Sequence, residues 1–224
     1  MKTISLYLHK VIIGQILADG HVERTGKNCR LSFSFGTAYL LYGNWIYSLL
    51  QEYCSNPIYS VVSVTQNKQY TNYRLKTRTT VLFNSYRDMF YVLDNGKHRK
   101  IVPTTIKELL CPIVLAHLII GDGTFSTKDS RIRIYTNHFS FEECVLLANA
   151  ITVNCDIQCK VIFDRIGSAG DKQYILTIGK NQLIKLQECV SPYMHTSILY
   201  RIGLLCLIYL YSPPFTIFSK YWAQ

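Results

Sequence analysis

The hydrophobic positions of this chain follow two periods, and together they predict the same series of elements twice. An apolar helix ends at Ala18-Asp19-Gly20. After it, alternating hydrophobic residues predict strands and hydrophobic residues at helical spacing predict helices. These elements are a strand at 30–35, a helix at 39–50, a hairpin of strands at 59–65 and 70–80, and a helix at 85–93.

A second apolar helix ends at Gly121-Asp122-Gly123, and a similar series follows it. Its members are a strand at 131–137, a helix at 141–151, a hairpin of strands at 158–165 and 173–178, and a closing helix at 182–190. The pattern predicts an α+β fold of two pseudo-symmetric αββαββα repeats, each with an antiparallel sheet. We place the N-terminal repeat at 1–96, a basic linker at 97–105, and the C-terminal repeat with a C-terminal extension at 106–224.

Composition indicates a folded protein that attracts polyanions. Of the 224 residues, 49% are hydrophobic and only 17% are charged, which excludes an intrinsically disordered chain. The net charge is +10 and is unevenly divided: residues 1–103 hold 13 Lys and Arg against 5 Asp and Glu, whereas residues 104–224 hold 11 against 9. We therefore expect a polyanionic partner without internal symmetry.

Nothing in the sequence predicts a membrane partner. The apolar run near the end covers only 202–211, about half of the ~20 residues that a bilayer-spanning helix needs. No secretion signal or import presequence is visible at the start, because Lys10, Gln15 and Asp19 interrupt the apolar stretch.

Each apolar helix ends in an Asp-Gly pair, which is an unfavourable place for an acidic residue. Glycine suits the left-handed turn just past a helix end, but a carboxylate there faces the negative end of the helix dipole, at a cost of about 0.3–1 kcal/mol. Asp19 and Asp122 occupy matching places in the two repeats, so we interpret them as a carboxylate pair that binds divalent metal ions. The alternative is a pair of ordinary core helices that end in glycine.

Small residues predict that the two helices pack against each other. Gly14 and Ala18 share one face of the first helix, and His117 and Gly121 hold the equivalent places on the second. A face with small side chains lets a partner helix approach closely, so this contact would bring the two Asp-Gly ends together.

Three predicted strands carry polar, mainly basic residues on one face and apolar residues on the other. The polar faces hold Arg30, Ser32 and Ser34 on the first strand, Arg74, Lys76 and Arg78 on the second, and Arg131, Arg133, Tyr135 and Asn137 on the third. A solvated sheet surface is the alternative, but three such faces in a chain with few charges favour a continuous cationic surface. Arg and Lys suit phosphates and guanine edges, so we predict contact with nucleic acid.

Two basic residues lie at similar distances beyond the two Asp-Gly pairs. Lys100 follows the first pair and Arg201 the second, so they are candidate pseudo-symmetric partners. A cation close to a metal site could stabilise the charge that develops on a phosphate or tune the attacking water. The alternative is a linker lysine and a surface arginine.

The two helices resemble the paired LAGLIDADG motifs of homing endonucleases, in a single-chain member with two repeats. The motif cores read IIGQILADG and LAHLIIGDG. The similarity is greatest to the yeast mitochondrial intron endonucleases and covers residues 10–202. It includes Lys100-Ile101-Val102-Pro103, Phe139-Ser140-Phe141-Glu142-Glu143, and Pro192-Tyr193 followed by Tyr200-Arg201.

The chain departs from the family pattern at several positions. Leu17 and Ile120 replace the acidic residue in the middle of each motif, which matters little because the family conserves chiefly the terminal one. His117 replaces a small packing residue and would reshape the helix interface. Arg201 stands where Lys is commoner, which disfavours any role that needs a neutral amine.

The resemblance implies a site-specific endonuclease that cuts both strands of a long, asymmetric DNA target by metal-dependent phosphodiester hydrolysis. In this family the two sheets cover the major groove and the helix ends lie over the minor groove. Asp19 and Asp122 would bind Mg²⁺, with the backbone carbonyls of Ala18 and Gly121 as further ligands. Ca²⁺ would bind without supporting efficient cleavage.

The resemblance also assigns the surrounding residues. Lys100 and Arg201 fall where the family carries basic residues of the active site. DNA contacts would come from Arg24, Lys27, Arg30, Ser32, Ser34, Arg74, Lys76, Arg78, Lys128, Arg131, Arg133, Tyr135, Asn137 and Lys160. We expect a monomer without an obligate protein partner, made inside a mitochondrion or, alternatively, a chloroplast.

Two other classes of function remain open. One is an RNA maturase or a non-cleaving nucleic-acid-binding protein on the same fold, and the presence of both Asp19 and Asp122 argues against lost catalysis. The other is a non-enzymatic RNA-binding α/β protein, which would use exposed aromatic residues to stack single-stranded bases. The arginine-lined strands favour recognition of a duplex.

Overall fold

The computed structural model describes residues 3–65, 68–94, 96–168 and 170–204, and its architecture is the predicted α+β fold with antiparallel sheets. In the first half the elements are α1 (Leu6–Leu17), β1 (His21–Thr25), β2 (Asn28–Gly36), α2 (Leu40–Leu50), β3 (Tyr59–Thr65), β4 (Lys68–Lys76), α3 (Asn84–Phe90), β5 (Tyr91–Asp94) and β6 (Lys97–Lys100).

The second half repeats this order after a short helix. Its elements are α4 (Ile106–Leu109), α5 (Pro112–Asp122), β7 (Gly123–Ser126), β8 (Arg131–Ile134), α6 (Phe141–Cys155), β9 (Cys159–Ile166), β10 (Lys172–Ile178) and α7 (Leu183–Val190). The two four-stranded sheets have the orders β1-β2-β4-β3 and β7-β8-β10-β9. Because corresponding strands hold corresponding places, the two halves are pseudo-symmetric.

Each sheet has one apolar face covered by helices. On β2, Leu31, Phe33 and Phe35 are buried and alternate with residues that are more exposed. In the second sheet, Ile132 and Ile134 of β8 are buried in the same way. The opposite face of each sheet is therefore left for polar side chains.

Helices α1 and α5 pack against each other along the faces predicted from their small residues. A Cβ atom added to Gly14 would lie only 2.6 Å from the Val114 carbonyl oxygen and 2.6 Å from the Cβ of His117. A Cβ added to Gly121 would lie 2.5 Å from the Cβ of Ala18. Both glycines are needed for this close approach, and both helices are buried on nearly all sides.

A buried polar network crosses the helix interface. The Gln15 side-chain amide donates to the hydroxyl of Tyr42 at 2.8 Å, and that hydroxyl lies 2.7 Å from Nδ1 of His117. Since the Tyr42 oxygen accepts from Gln15, it is free to donate its proton to Nδ1, which leaves His117 neutral. Trp45 stacks on the imidazole with ring centroids 5.6 Å apart. Burial lowers the pKa of His117 to about 3.

Several element predictions were incomplete or wrong. The sequence patterns missed β1 and β7, which are short and follow directly on the apolar helices. The helix predicted at 85–93 ends at Phe90, and the chain continues as the hairpin of β5 and β6. The predicted linker at 97–105 therefore opens with a paired strand. The turn between β5 and β6 contains Gly96 with φ of 77°, a conformation that glycine adopts without strain.

The role predicted for the glycines after the two Asp residues was also wrong. Gly20 and Gly123 are not among the glycines with positive φ, so neither makes a left-handed cap. Each is instead required by close packing, because an added Cβ would lie 2.5 Å from the carbonyl oxygen of Gln15 or of Ile119, respectively.

Two predictions concern residues near the end of the chain. The C-terminal extension beyond residue 204, and most of the apolar run at 202–211, lie outside the described residues. Within the described ranges, no helix has both the length and the apolar character needed to cross a bilayer.

Candidate active site and nucleic-acid interface

Asp19 and Asp122 lie at the adjacent ends of α1 and α5. The packing of Gly121 against Ala18 brings these ends together, and the backbone nitrogen of Asp19 lies 3.6 Å from the position of a Cβ on Gly121. Asp19 is exposed, whereas Asp122 is half-buried. Both carboxylates line one open cleft of about 420 Å³.

Lys100 and Arg201 are bound to the ends of the same two helices. The Lys100 ammonium donates to the carbonyl oxygens of Ile16 at 2.8 Å and of Ala18. The Arg201 guanidinium donates to the carbonyl oxygens of Gly121 at 3.1 Å and of Gly123. Each cation thus lies at the negative end of one of the two helices, Lys100 at α1 and Arg201 at α5.

Burial and neighbouring charges shift the pKa values of Asp122 and Lys100 in the cleft. Burial and the neighbouring Asp19 raise the pKa of Asp122 to about 7, although Lys100 acts against the shift. Burial lowers the pKa of Lys100, and the two carboxylates act against that shift. The site therefore holds two carboxylates that repel each other and one half-buried ammonium.

The rest of the cleft comes from both repeats. Besides Ala18, the two carboxylates and Lys100, its lining residues are His21, Tyr135, Asn137, His138, Arg165 and Gln173. The backbone nitrogen of Tyr135 donates to the main-chain carbonyl oxygen of Asp122 at 2.9 Å, which ties the residue after β8 to the end of α5. Tyr135 and Asn137, predicted as strand residues, lie beyond the last residue of β8 and beside the carboxylates.

A second cavity lies on the side of Arg201. Its volume is about 170 Å³, and Gln15, Asp19, Ser34, Tyr39, Gly121 and Arg201 are among its lining residues. The guanidinium carbon of Arg201 is 5.1 Å from the ring centroid of Tyr39. Asp19 lines both cavities, whereas Asp122 lines only the cleft with Lys100. The two sides of the helix ends are therefore chemically different.

The polar face of the N-terminal sheet brings five predicted DNA-contacting residues together. Strand register pairs Ser32 with Lys76 and Ser34 with Arg74. Cross-strand partners have side chains on the same face, so these four share one face with Arg30. Glu23 of β1 is opposite Arg30 and was not predicted to lie here.

Glu23 binds the cations of this face. Its carboxylate accepts a hydrogen bond of 2.7 Å from Nε of Arg30 and bonds of 3.0 and 3.2 Å from Nζ of Lys76. Burial acts to raise the pKa of Glu23, but hydrogen bonds from Lys76, Arg30 and Ser32 lower it to about 2. Glu23 is therefore ionised at any physiological pH.

The polar face of the C-terminal sheet carries the corresponding arginines. Arg133 pairs with Thr177, which pairs with Lys160, so the two basic residues share one face. Arg131 and Arg133 lie 3.6 and 3.7 Å from the Asp129 carboxylate, too far for hydrogen bonds. Among the described residues, the buried Nε atoms of both arginines have no hydrogen-bond partner.

Three predicted DNA-contacting residues lie apart from these two faces, and a fourth, Arg78, lies at the edge of the N-terminal one. Arg24 follows Glu23 directly on β1, so its side chain lies on the opposite face of the strand, the face of the buried Val22. Its guanidinium lies 3.7 Å from the carboxylate of Asp88 on α3. Arg78 lies beyond the end of β4, where it donates to the carbonyl oxygen of Glu52 and lines a cavity with Arg30 and Lys76. Lys27 and Lys128 are exposed in the turns between β1 and β2 and between β7 and β8.

Sequence reasoning also missed residues of the cleft. His21 and His138 were not among the predicted site residues, yet both line the cleft with Lys100. Burial and the Lys100 charge lower the pKa of His138 to about 4, and the same two causes, with Arg87, lower the pKa of His21. The position of His21, directly after Asp19-Gly20, was the one sequence signal that could have identified it.

Comparison with known proteins identifies the family. The family model for LAGLIDADG DNA endonucleases matches residues 9–186. The chain belongs to the LAGLIDADG DNA endonuclease family. It is 31% identical over 162 residues to intron-encoded endonuclease ai4 of Dictyostelium discoideum, which covers 68% of the chain and 93% of that relative.

A second relative of this LAGLIDADG chain is named for a different function. The chain is 26% identical over 208 residues to cytochrome b mRNA maturase bI2 of Saccharomyces cerevisiae, an alignment that covers 89% of the chain. The chain spans about half, 48%, of the length of that maturase.

Solved structures of LAGLIDADG homing endonucleases share the fold. The homing endonuclease I-WcaI, bound to its DNA recognition sequence, matches with a TM-score of 0.78 at 19% identity, over 90% of this chain and 88% of that one. I-DmoI in complex with DNA and Mn matches with a TM-score of 0.52 at 14% identity, over 82% and 96%. At these identities the similarity establishes the architecture.

The LAGLIDADG helix ends have the chemistry of a site for a hard divalent cation. Burial and the charge of Asp19 both disfavour ionisation of Asp122 and raise its pKa, and a bound cation would relieve the repulsion between the two carboxylates. No group of three or more His, Cys, Asp or Glu in the described part of the chain is arranged to hold a metal. A pair of carboxylates is a donor set that fits a hard divalent cation whose remaining ligands are waters and substrate phosphates.

Proposed function

We propose that the protein is a homing endonuclease that recognises a long, asymmetric DNA duplex and hydrolyses one phosphodiester bond in each strand. The observation that carries this proposal is the meeting of Asp19 and Asp122 in one cleft, at the adjacent ends of α1 and α5. The family membership and the basic polar faces of both sheets support a DNA substrate.

The two carboxylates would hold the metal in this proposal. Mg²⁺, when bound, would supply Lewis-acid stabilisation of the negative charge that develops on the phosphate and would activate water. The carbonyls of Ala18 and Gly121 would have to bind it alongside the hydrogen bonds that they already accept from Lys100 and Arg201. Asp19 and Asp122 are therefore the principal ligands that we propose.

The basic residues would serve as electrostatic auxiliaries. Lys100 and Arg201 are fixed by backbone carbonyls, so their charges are already positioned before a phosphate arrives. Lys100 acts on the side of the cleft with both carboxylates, and Arg201 acts on the side of the second cavity.

The two repeats would divide the target between them. We propose that the unit at 1–96 binds one half-site and the unit at 106–224 the other, joined by 97–105, so that one monomer suffices. Base and backbone contacts would come mainly from the two polar faces. Lys27 and Lys128 would contact phosphates from the turns. The intron-encoded relative supports synthesis inside an organelle, with the mitochondrion as our proposal and the chloroplast as the alternative.

A cleavage selection tests the proposed function. The full chain is incubated with a library of duplex sites and Mg²⁺, and the cut products are sequenced. We expect one family of related sites cut in both strands, whereas Ca²⁺ should support binding without efficient cutting. Absence of any cut site in Mg²⁺ and in Mn²⁺ would contradict the endonuclease proposal.

Substitutions at the helix ends then test the site. Asp19→Asn and Asp122→Asn should each abolish double-strand cleavage while duplex binding survives, because the polar faces are unchanged. Asp88→Asn, which removes one carboxylate on α3, is the matched control and should cut at the normal rate. Normal cutting by either active-site variant would show that the site is elsewhere.

An RNA maturase is the second candidate, and one observation favours it. The Saccharomyces cerevisiae relative is a cytochrome b mRNA maturase, and its alignment covers most of this chain. A self-splicing assay with the host intron RNA separates the two functions. A maturase would accelerate splicing even as Asp19→Asn, whereas an endonuclease without this second function would leave the splicing rate unchanged.

A further inference from the structure

Glu23 is an acidic residue on the polar face of a basic sheet, and neither the metal site nor the phosphate contacts explain it. It lies on β1 with its side chain 28% exposed, opposite Arg30 and on the same face as Ser32 and Lys76. A carboxylate at this position repels DNA phosphates and so lowers the affinity for any duplex. Its effect must therefore operate through the side chains that it binds.

The contacts of Glu23 fix two cations in place. Two nitrogens of the Arg30 guanidinium, Nε and one terminal nitrogen, converge on one carboxylate oxygen, Oε2, each at 2.7 Å. Nζ of Lys76 lies 3.0 Å from Oε1 and 3.2 Å from Oε2. Both carboxylate oxygens of Glu23 are thus engaged with the two cations.

The donors that remain are the ones that can read DNA. A guanidinium has five N–H donors and an ammonium three, so Arg30 and Lys76 keep donors after binding Glu23. Recognition of a guanine edge needs donors at fixed positions, whereas attraction to phosphate needs only a nearby charge. Fixing these side chains therefore favours base recognition over phosphate binding.

The C-terminal sheet lacks such an arrangement. Asp129 approaches Arg131 and Arg133 only to 3.6 and 3.7 Å, and their buried Nε atoms have no hydrogen-bond partner among the described residues. Elsewhere in this sheet, Nε of Arg165 donates to the side-chain oxygen of Gln173 at 3.1 Å. Arg131 and Arg133 are nevertheless held less firmly than Arg30 and Lys76. This difference provides an internal control in one molecule.

We propose that Glu23 is a specificity-determining positioning residue, which holds Arg30 and Lys76 so that they read base edges in the half-site bound by the N-terminal sheet. The proposal rests on the proposed function, because it requires a duplex target. It assigns no contact between Glu23 and DNA, and it predicts that removing this negative charge strengthens non-specific binding while it weakens discrimination.

A binding selection tests the proposal without requiring cleavage. The full chain, Glu23→Gln, Glu23→Asp and Asp88→Asn each select from the same randomised duplex library, and thermal melting checks that each variant folds. In Glu23→Gln, the base preference at positions of one half-site should fall about tenfold, whereas the preference in the other half-site should be unchanged. The same variant should bind unrelated duplex more tightly. Glu23→Asp keeps the charge but shortens the side chain, so it should lose the same preference without the gain in non-specific affinity.

The Asp88→Asn control and the possible outcomes distinguish a failure of this inference from a failure of the proposed function. Asp88→Asn removes the same charge from the same repeat, beside Arg24 on the other face, and should leave all preferences unchanged. Wild-type preferences in both Glu23 variants would overturn this inference alone. Equal loss in both half-sites would also overturn it and would make Glu23 a general structural residue. A wild-type chain with no base preference at all would overturn the proposed function together with the inference.

Discussion

The ammonium of Lys100 lies 2.8 Å from the carbonyl oxygen of Ile16, so a strand of the hairpin between the repeats holds the end of α1. The same ammonium is half-buried beside the two carboxylates of the cleft. Lys100 therefore combines a structural contact with a position from which it can stabilise charge on a phosphate.

Replacing Lys100 by Met should slow cleavage by about 100-fold with nearly unchanged DNA affinity, because a positioned cation is removed while the metal ligands and the polar faces remain. Single-turnover cleavage at saturating enzyme measures the rate. Lys97→Met, at an exposed position of the same strand, is the control and should cut normally. A wild-type rate in Lys100→Met would reduce this residue to a helix-capping role.

Replacing Gly14 by Ala should destabilise the fold by about 1–3 kcal/mol, since the new Cβ would lie 2.6 Å from the carbonyl oxygen of Val114 and the helices would have to separate. Urea denaturation measures the free energy of unfolding. Gly36→Ala is the matched control, because a Cβ there would meet no atom within 4 Å and the φ of −68° suits alanine. Equal stability of the two variants would contradict the close helix contact.

His117 should make the stability of the protein depend on pH. Its pKa is about 3 in the fold and near 6.5 when unfolded, so the unfolded chain binds more protons between these values. Stability is therefore unaffected above pH 6.5 and falls as the pH drops below it, by about 2 kcal/mol at pH 5.

The test compares the free energy of unfolding at pH 5 and pH 7.5 in wild type, His117→Asn and His98→Asn. His117→Asn should reduce the difference by about 2 kcal/mol and leave the part that comes from the other buried histidine, His138, whose pKa is lowered to about 4. His98→Asn, at an exposed position, should keep the whole difference. The same pH dependence in all three proteins would mean that His117 is not the buried neutral group described above.

Periodicity was sufficient to predict the longer elements. The strand β2 alternates over nine residues, and its buried Leu31, Phe33 and Phe35 define the apolar face of the sheet without further information. By contrast, β1, β5, β6 and β7 have only four or five residues, so alternation cannot be distinguished from chance. The Asn-Gly dipeptide at 95–96, typical of hairpin turns, was the available signal for β5 and β6.

The candidate site was predictable where duplication marked it and not elsewhere. Asp19 and Asp122 stand at repeated places, and the structure brings them into one cleft. Glu23 has no counterpart in the second repeat. Its contacts with Arg30 and Lys76 depend on the register of three strands, and that register cannot be predicted from a single sequence.

Arg131→Ala or Arg133→Ala should weaken DNA binding by roughly 1–3 kcal/mol in a way that depends on target sequence, if either guanidinium makes a bidentate base contact. Their weak pairing with Asp129 leaves their donors available. Lys128→Ala, in an exposed turn, should instead weaken binding equally on all duplexes and make the salt dependence shallower. Titrations on cognate and unrelated duplexes at two salt concentrations separate these outcomes. Uniform weakening by an arginine variant would reassign that residue to the phosphate backbone.

Arg201→Met should slow the cutting of one strand only, and less severely than Lys100→Met. The guanidinium is fixed by the carbonyl oxygen of Gly121 at 3.1 Å and lies beside the second cavity, which contains Asp19 but not Asp122. It stays protonated, so it can act as a fixed charge and donor but never as a proton acceptor.

Two variants and two labels make the Arg201 experiment decisive. Each strand of the target carries its own label, and single-turnover cleavage is followed for Arg201→Met and Arg201→Lys at saturating enzyme. Arg201→Lys keeps the positive charge near the carbonyl of Gly121 and should retain most of the rate that Arg201→Met loses. Equal slowing of both strands would mean that Arg201 acts through the helix interface and not at one phosphate. Weakened binding with an unchanged cleavage rate would instead make it a phosphate anchor.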